Sequence, residues 1–252
     1  KYTVIIDEIQ MVYPILNPNL TGGRHIPAKK DDTVIITFVD VILGLSREKN
    51  IDLYVTGSNS KMLSTDIATS FGDRGDEVRL HPLTFSEYYE AAGKEKTEAW
   101  EHYMLWGGMP VCHQKNSDEM RRNYLASLFR EVYFTDIVKR YRLTNGGLLE
   151  QITDILFSSV GSLTNPSKIA NTLTSVQKVK ATQPTVSKHI EYLEDAFLVE
   201  KVQRYDVKGR HYLEYPSKYY AEDIGLRNAR LNFRQIAIFT TPERSLKNGN
   251  ES

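Results

Sequence analysis

The sequence has a single cysteine, Cys112, and no CxxC or Cys/His cluster. An internal disulfide framework is therefore excluded, a structural zinc site has no ligand set, and a reducing, cytoplasmic compartment is expected. Net charge is absent too. Lys+Arg and Asp+Glu both number 32, so contact with nucleic acid has to come from a local patch and not from a global field. No apolar run approaches the ~18 residues of a membrane span, and the first residues lack the basic-then-apolar order of a signal peptide, so no membrane partner is expected. The last absence concerns chemistry. The loop GxxxxGK[ST], whose backbone N–H groups and lysine hold β- and γ-phosphates, does not occur, because GGRHIPAKKDD and GSNSKML have the wrong spacing. The chain opens at Lys1 inside a strand pattern, which reads as a piece of a longer protein.

What is present begins with VIIDEIQ. Residues 3–6 are short, continuous and β-branched, the pattern of a buried parallel strand, and they run into Asp7 and Glu8 where such a strand would exit. A polar loop follows over 17–32, then a run over 33–49 whose apolar positions Ile35, Phe38, Val39, Ile42 and Leu45 keep helical spacing. Residues 52–55 repeat the opening, an apolar strand that delivers Thr56, Gly57, Ser58 and Asn59 at its carboxyl end. Strand, crossover helix and strand imply a parallel α/β sheet.

Beyond a further expected strand at 77–80, the character turns helical. Helices are expected over 91–103 and 118–141, around the break LWGGMPV, and then from Leu148 to Ser159 and within SLTNPSKIANTL. A third helix of this later group holds Val186, Ile190, Leu193 and Phe197 as its apolar stripe, with Pro184 in its first turn. LVEKVQRYDV, the tight KGR and HYLEYPSKYYAED then read as a β-hairpin. Three helices and a hairpin are the order of a winged helix.

Phosphoryl transfer to water needs a held magnesium ion, a carboxylate to orient the water and fixed positive charge. Asp7 and Glu8 can serve the first two needs, against the plain alternative of a solvated turn. Ser58 and Asn59 can sense a γ-phosphate or merely form a Gly-Ser turn. Arg74, on a Gly-flanked loop, can reach a phosphate of an adjacent subunit or pair with Asp73 or Asp76. For double-stranded DNA the candidate contacts are Lys188, Lys201, Arg204, Lys208 and Arg210. Glu191, Glu194 and Asp195 on the same helix would repel phosphates. A winged helix used for protein contacts is the alternative.

Taken in order, VIIDEIQ, VTGSNSKML, FGDRGDEVRLHPLTFSEYY, MLWGGMPV, YFTDIVKR and KYYAEDIGLRNA resemble a prokaryotic family of AAA+-like P-loop ATPases. In that family a RecA-like domain is followed by helices, a winged helix and a C-terminal domain often described as nuclease-like. The resemblance implies an α/β fold followed by mostly α, in four parts. These are residues 1–92 as the later part of a RecA-like ATPase domain with a partial parallel sheet, 93–145 as a helical connector, 146–225 as a winged helix, and 226–252 as a tail or the start of another domain. It implies ATP and Mg2+ as cofactors. Asp7 becomes the Walker B magnesium residue, Glu8 the general base, Ser58 and Asn59 the sensor region, and Arg74 a finger acting across a homo-oligomer. The parent protein would couple ATP hydrolysis to remodelling of DNA or a protein. This chain, without the Walker A loop, is expected to hydrolyse little. The rival reading is a winged-helix module for DNA or protein with no enzymatic activity.

Overall fold

The structure is a computed structural model that describes residues 1–9, 12–29, 31–57, 76–144, 146–203 and 216–231. The chain divides into two compact units, Lys1–Val78 and Arg79–Ser252.

In the first unit, β1 (Tyr2–Ile6) lies parallel to β4 (Ile51–Val55), paired in register from Tyr2↔Ile51 to Ile6↔Val55. Between them come the short antiparallel pair β2 (Ile15–Leu16) and β3 (Ile35–Ile36), a 3-10 turn at Pro18–Leu20, and helix α1 (Phe38–Leu45). The two strands and crossover helix expected from the sequence are present, but the helix is shorter than the 33–49 run. Ile35 and Ile36 belong to β3, and Thr37 starts the helix through a capping box in which its hydroxyl accepts the Asp40 N–H and the Asp40 carboxylate accepts the Thr37 N–H. Those two bonds hold the Asp40 carboxyl below the usual carboxylate range. The expected burial of the strands is not met among the described residues: Ile5 is 70% and Tyr54 60% exposed. Residues 77–80 form no strand, and Val78 and Leu80 are largely exposed.

The second unit is helical. Its first elements are α2 (Phe85–Ala92), α3 (Lys96–Trp106), α4 (Pro110–His113) and α5 (Asp118–Ser127). A wide π-helical stretch, Leu128–Phe134, continues α5 into α6 (Thr135–Arg140). The single helix expected over 91–103 is two, because Gly93 takes a left-handed conformation that closes α2, and the Glu95 side chain caps α3 by accepting the Thr97 N–H.

Next come α7 (Gly146–Ser158), α8 (Pro166–Ser175) and α9 (Gln183–Asp195), each close to its expected position. Strands β5 (Val199–Val202) and β6 (Lys218–Ala221) pair antiparallel, and Thr164, between α7 and α8, bridges Ser217. The KGR turn lies outside the described residues, as does everything after Leu231. Phe197 does not belong to the α9 stripe. It sits past the helix end at φ 54°, with the Arg79 guanidinium 4.4 Å over its ring.

A last helix, α10 (Ile224–Arg230), lies across the boundary drawn at 225/226 from the sequence and packs into the same core as Trp106, Leu149, Ile152 and Phe157. Asp223 explains its position. This carboxylate, 4% exposed, accepts N–H bonds from Leu226 at 2.8 Å, capping α10, and from Gly108 at 2.6 Å, in the break after α3. Burial pushes its carboxyl up, against the pull of those backbone donors. Asn228 Nδ2 donates to the carbonyls of Met104 and Leu105 at 2.9 Å each, satisfying the C-terminal end of α3.

This junction has no room for side chains. A Cβ at Gly108 would collide with the Leu83 carbonyl, and one at Gly225 with the Trp106 carbonyl. Gly108→Ala should therefore cost at least about 3 kcal/mol in chemical denaturation. Gly44→Ala, in α1 with nothing within 4 Å, should change stability by about 1 kcal/mol or less, in the favourable direction.

Candidate functional site

Because β1 and β4 end in register, the residues just past them face each other: Asp7 follows Ile6 and Thr56 follows Val55. The Thr56 hydroxyl donates to Asp7 Oδ1, and the same oxygen accepts the Glu8 N–H at 3.3 Å. Backbone bonds from Thr56 N–H to the Ile6 carbonyl (2.9 Å) and from Ile9 N–H to the Thr56 carbonyl (3.1 Å) carry the pairing past the strand ends. Ile9, fully buried, anchors the turn. Glu8 itself sits at φ 54°, a left-handed conformation that costs a non-glycine residue roughly 1–2 kcal/mol. Two exposed carboxylates and a hydroxyl are thus held at the carboxyl ends of adjacent parallel strands, the place where open α/β sheets bind ligands.

Of the residues singled out from the sequence, Asp7 and Glu8 are brought together with Thr56. Thr56 was seen as part of a polar cluster but given no role, although equal strand lengths in register would have placed it opposite Asp7. Ser58, Asn59 and Arg74 lie outside the described residues. Among the described residues no group of three or more His, Cys, Asp or Glu could hold a metal ion. Cys112 is fully buried, and burial pushes its thiol up to about 11, so it is a packing residue and not a nucleophile.

In the second unit, Lys188 on α9 and Lys201 on β5 are exposed, whereas Arg204, Lys208 and Arg210 lie outside the described residues. Two of the three acids expected to repel phosphate from α9 are turned inward. Glu194 is half-buried with its carboxyl pushed up by desolvation, and Asp195 accepts the Tyr141 hydroxyl at 2.7 Å. Tyr141 stacks on Tyr192, ring centroids 3.7 Å apart, which keeps that hydroxyl in place. Only Glu191 shares the exposed face with Lys188. His189 points into the unit, its Nδ1 2.7 Å from the Thr185 carbonyl.

The family described as a domain of unknown function (DUF8612) matches residues 97–236, more than half of the chain. The chain belongs to that family. Ahead of the DUF8612 region, residues 1–89 match the family described as an AAA domain, so an AAA-type segment and a DUF8612 segment follow one another.

A protein of Haemophilus influenzae is 34% identical over 183 residues, covering 71% of this chain and 45% of that protein. One of Methanocaldococcus jannaschii is 25% identical over 198 residues, covering 74% and 44%. Both are described only as uncharacterized, and the chain spans less than half the length of either. Among solved structures, the Aeropyrum pernix ORC1 protein in complex with DNA aligns over 94% of this chain and 65% of its own, at 15% identity and a TM-score of 0.29. A likeness that loose carries no argument. No helix among the described residues is long and apolar enough to cross a membrane.

Proposed function

We propose that residues 1–92 form the magnesium and water-activating edge of an AAA+-type ATPase site. The observation that carries this reading is the Asp7–Thr56–Glu8 arrangement at the ends of β1 and β4, inside the segment that matches an AAA domain. The donor set is hard oxygen, a carboxylate steadied by a hydroxyl, and it suits magnesium held largely through water and not in an all-protein cage. Bound with the nucleotide, magnesium would supply neutralisation of charge on the phosphate oxygens. Asp7 would hold it through the water shell, its carboxylate oriented by the Thr56 hydroxyl. Glu8, lifted off the strand line by its left-handed backbone, would accept a proton from the attacking water. Ser58 and Asn59 would contact the γ-phosphate or that water, and Arg74 would reach a phosphate across a homo-oligomer. The phosphate-cradling GxxxxGK[ST] loop is not part of these 252 residues.

In a chain of the relatives' length, Glu8→Gln should lower ATP turnover on the order of 10²-fold or more and leave nucleotide affinity nearly unchanged. Turnover equal to the unsubstituted protein would overturn the assignment of Glu8.

A second role belongs to the other unit. We infer that residues 146–225 are a winged helix whose α9 and β5–β6 contact double-stranded DNA, with residues 93–145 as the connector to the ATPase part. The inward turn of Glu194 and Asp195 favours this reading, since it removes two of the three charges that spoke against it. ATP hydrolysis would then drive rearrangement of DNA or of a protein on it. Lys188→Glu and Lys201→Glu should each weaken duplex binding uniformly across sequences and reduce the slope of log K against log salt by about 1. Duplex affinity unchanged by both substitutions would assign the unit to protein contacts.

A further inference from the structure

Within the second unit, a cavity of about 350 Å³ opens among α2, α3, α4 and α5, and the proposed function does not use it. One side is apolar, built from Leu83, Ala91, Ala92 and Pro110. The other side is polar and carries no carboxylate: Tyr88, His102, His113, Lys94 and Arg121.

The hydrogen bonds of this polar side are incomplete in a specific way. His113 Nε2 lies 2.9 Å from the Gly107 carbonyl, which can only accept, so Nε2 carries the proton and Nδ1 is a bare acceptor. That Nδ1 is buried and has no hydrogen-bond partner among the described residues. Arg121 Nε is in the same condition, although its Nη1 donates to Asp118 at 2.7 Å and its guanidinium lies 5.8 Å from the centre of the Trp106 ring. Tyr88 and His102 satisfy one another across 2.9 Å. Burial, and after it the Arg121 charge, depress His102 to about 4, and burial lowers His113 as well. Both imidazoles are therefore neutral near pH 7, and the positive charge facing the cavity belongs to Arg121 and Lys94. Glu98 already pairs with Lys94 at the exposed rim, which leaves Arg121 as the inner cation.

An unpaired cationic donor and an unpaired neutral acceptor, both costly to leave buried, complement a molecule with an anion beside a donor. The volume lies at the small end of ligand pockets, and the apolar wall leaves space for a compact hydrocarbon part. We propose that this cavity binds a small organic carboxylate that carries a hydroxyl or ammonium donor and a compact apolar body. The carboxylate meets Arg121, the donor meets His113 Nδ1, and the apolar body lies against Ala91, Ala92 and Pro110.

Two probes that differ only in the donor test this on the full chain: 3-phenyllactate and 3-phenylpropionate, followed by ¹⁵N chemical shifts of the histidine rings and by thermal unfolding. The expected result is that 3-phenyllactate moves the His113 Nδ1 resonance and raises the melting temperature at millimolar concentration. 3-Phenylpropionate should bind about tenfold more weakly for want of the hydrogen bond. Ala92→Phe, which fills the apolar side without touching Arg121 or His113, should abolish both responses. No movement of the His113 resonance with 3-phenyllactate would overturn the proposal. So would equal binding of the two acids, or an equal response to inorganic phosphate, which would mean a general anion contact. The His113 resonance is read in the unsubstituted protein, so the outcome does not depend on whether Ala92→Phe folds.

Discussion

The second unit depends on one buried carboxylate. Asp223 lies between the start of α10 and the break after α3, and it is stable there because backbone N–H groups from both sides point at it. The positive end of α10 adds to that stabilisation. Such a contact requires the two backbones to approach without side chains between them, which the glycines at 108 and 225 allow. Once α10 is seated, its remaining polar residues bond to three other elements. Asn228 closes the carbonyls of α3, Arg227 donates to the Phe157 carbonyl at the end of α7, and Arg230 makes a two-pronged pair with Asp154 of α7. The segments MLWGGMPV and KYYAEDIGLRNA, far apart in sequence, are therefore two halves of one joint. Their glycines and acid serve packing, and nothing in this geometry calls on them for catalysis.

Much of this architecture could be read from local signals. Thr37, Thr84, Ser117, Asn165, Thr182 and Asp223 each cap a helix through the side chain, and in every case the donor is a backbone N–H three residues on. Short polar residues followed by an apolar stripe thus marked helix starts even where the helix end was misjudged. The errors came from ambiguities that periodicity cannot resolve. Ile35 and Ile36 fit the helical stripe of α1, yet the capping box at Thr37 places them before the helix. Glu77 to Leu80 alternate as a strand should, but a strand also needs a partner, and none pairs with them among the described residues.

The candidate site was legible to a similar degree. An acidic pair after an apolar run is visible as text, so Asp7 and Glu8 were found, whereas Thr56 gains its meaning from the register of two strands 49 residues apart in sequence. The orientation of the α9 acids was less accessible still. Asp195 is held by Tyr141, a residue 54 positions away whose own place depends on stacking against Tyr192. A charge count along the helix therefore overstated the repulsion that a phosphate would meet there.

The exposure of β1 and β4 bears directly on chemistry. Their continuous apolar sequence is that of strands covered on both faces, yet Ile5 and Tyr54 face solvent and Asp7 and Glu8 stand in water with them. A carboxylate in a high dielectric interacts weakly with a metal or a developing charge, and the same group in a water-excluded site interacts several-fold more strongly. Under the proposed function, the strand ends thus become effective only when further chain or a neighbouring subunit covers them. The left-handed Glu8 fits this requirement. Its strain is worth retaining where the side chain must point toward a ligand, and it would serve no purpose in an open solvated turn.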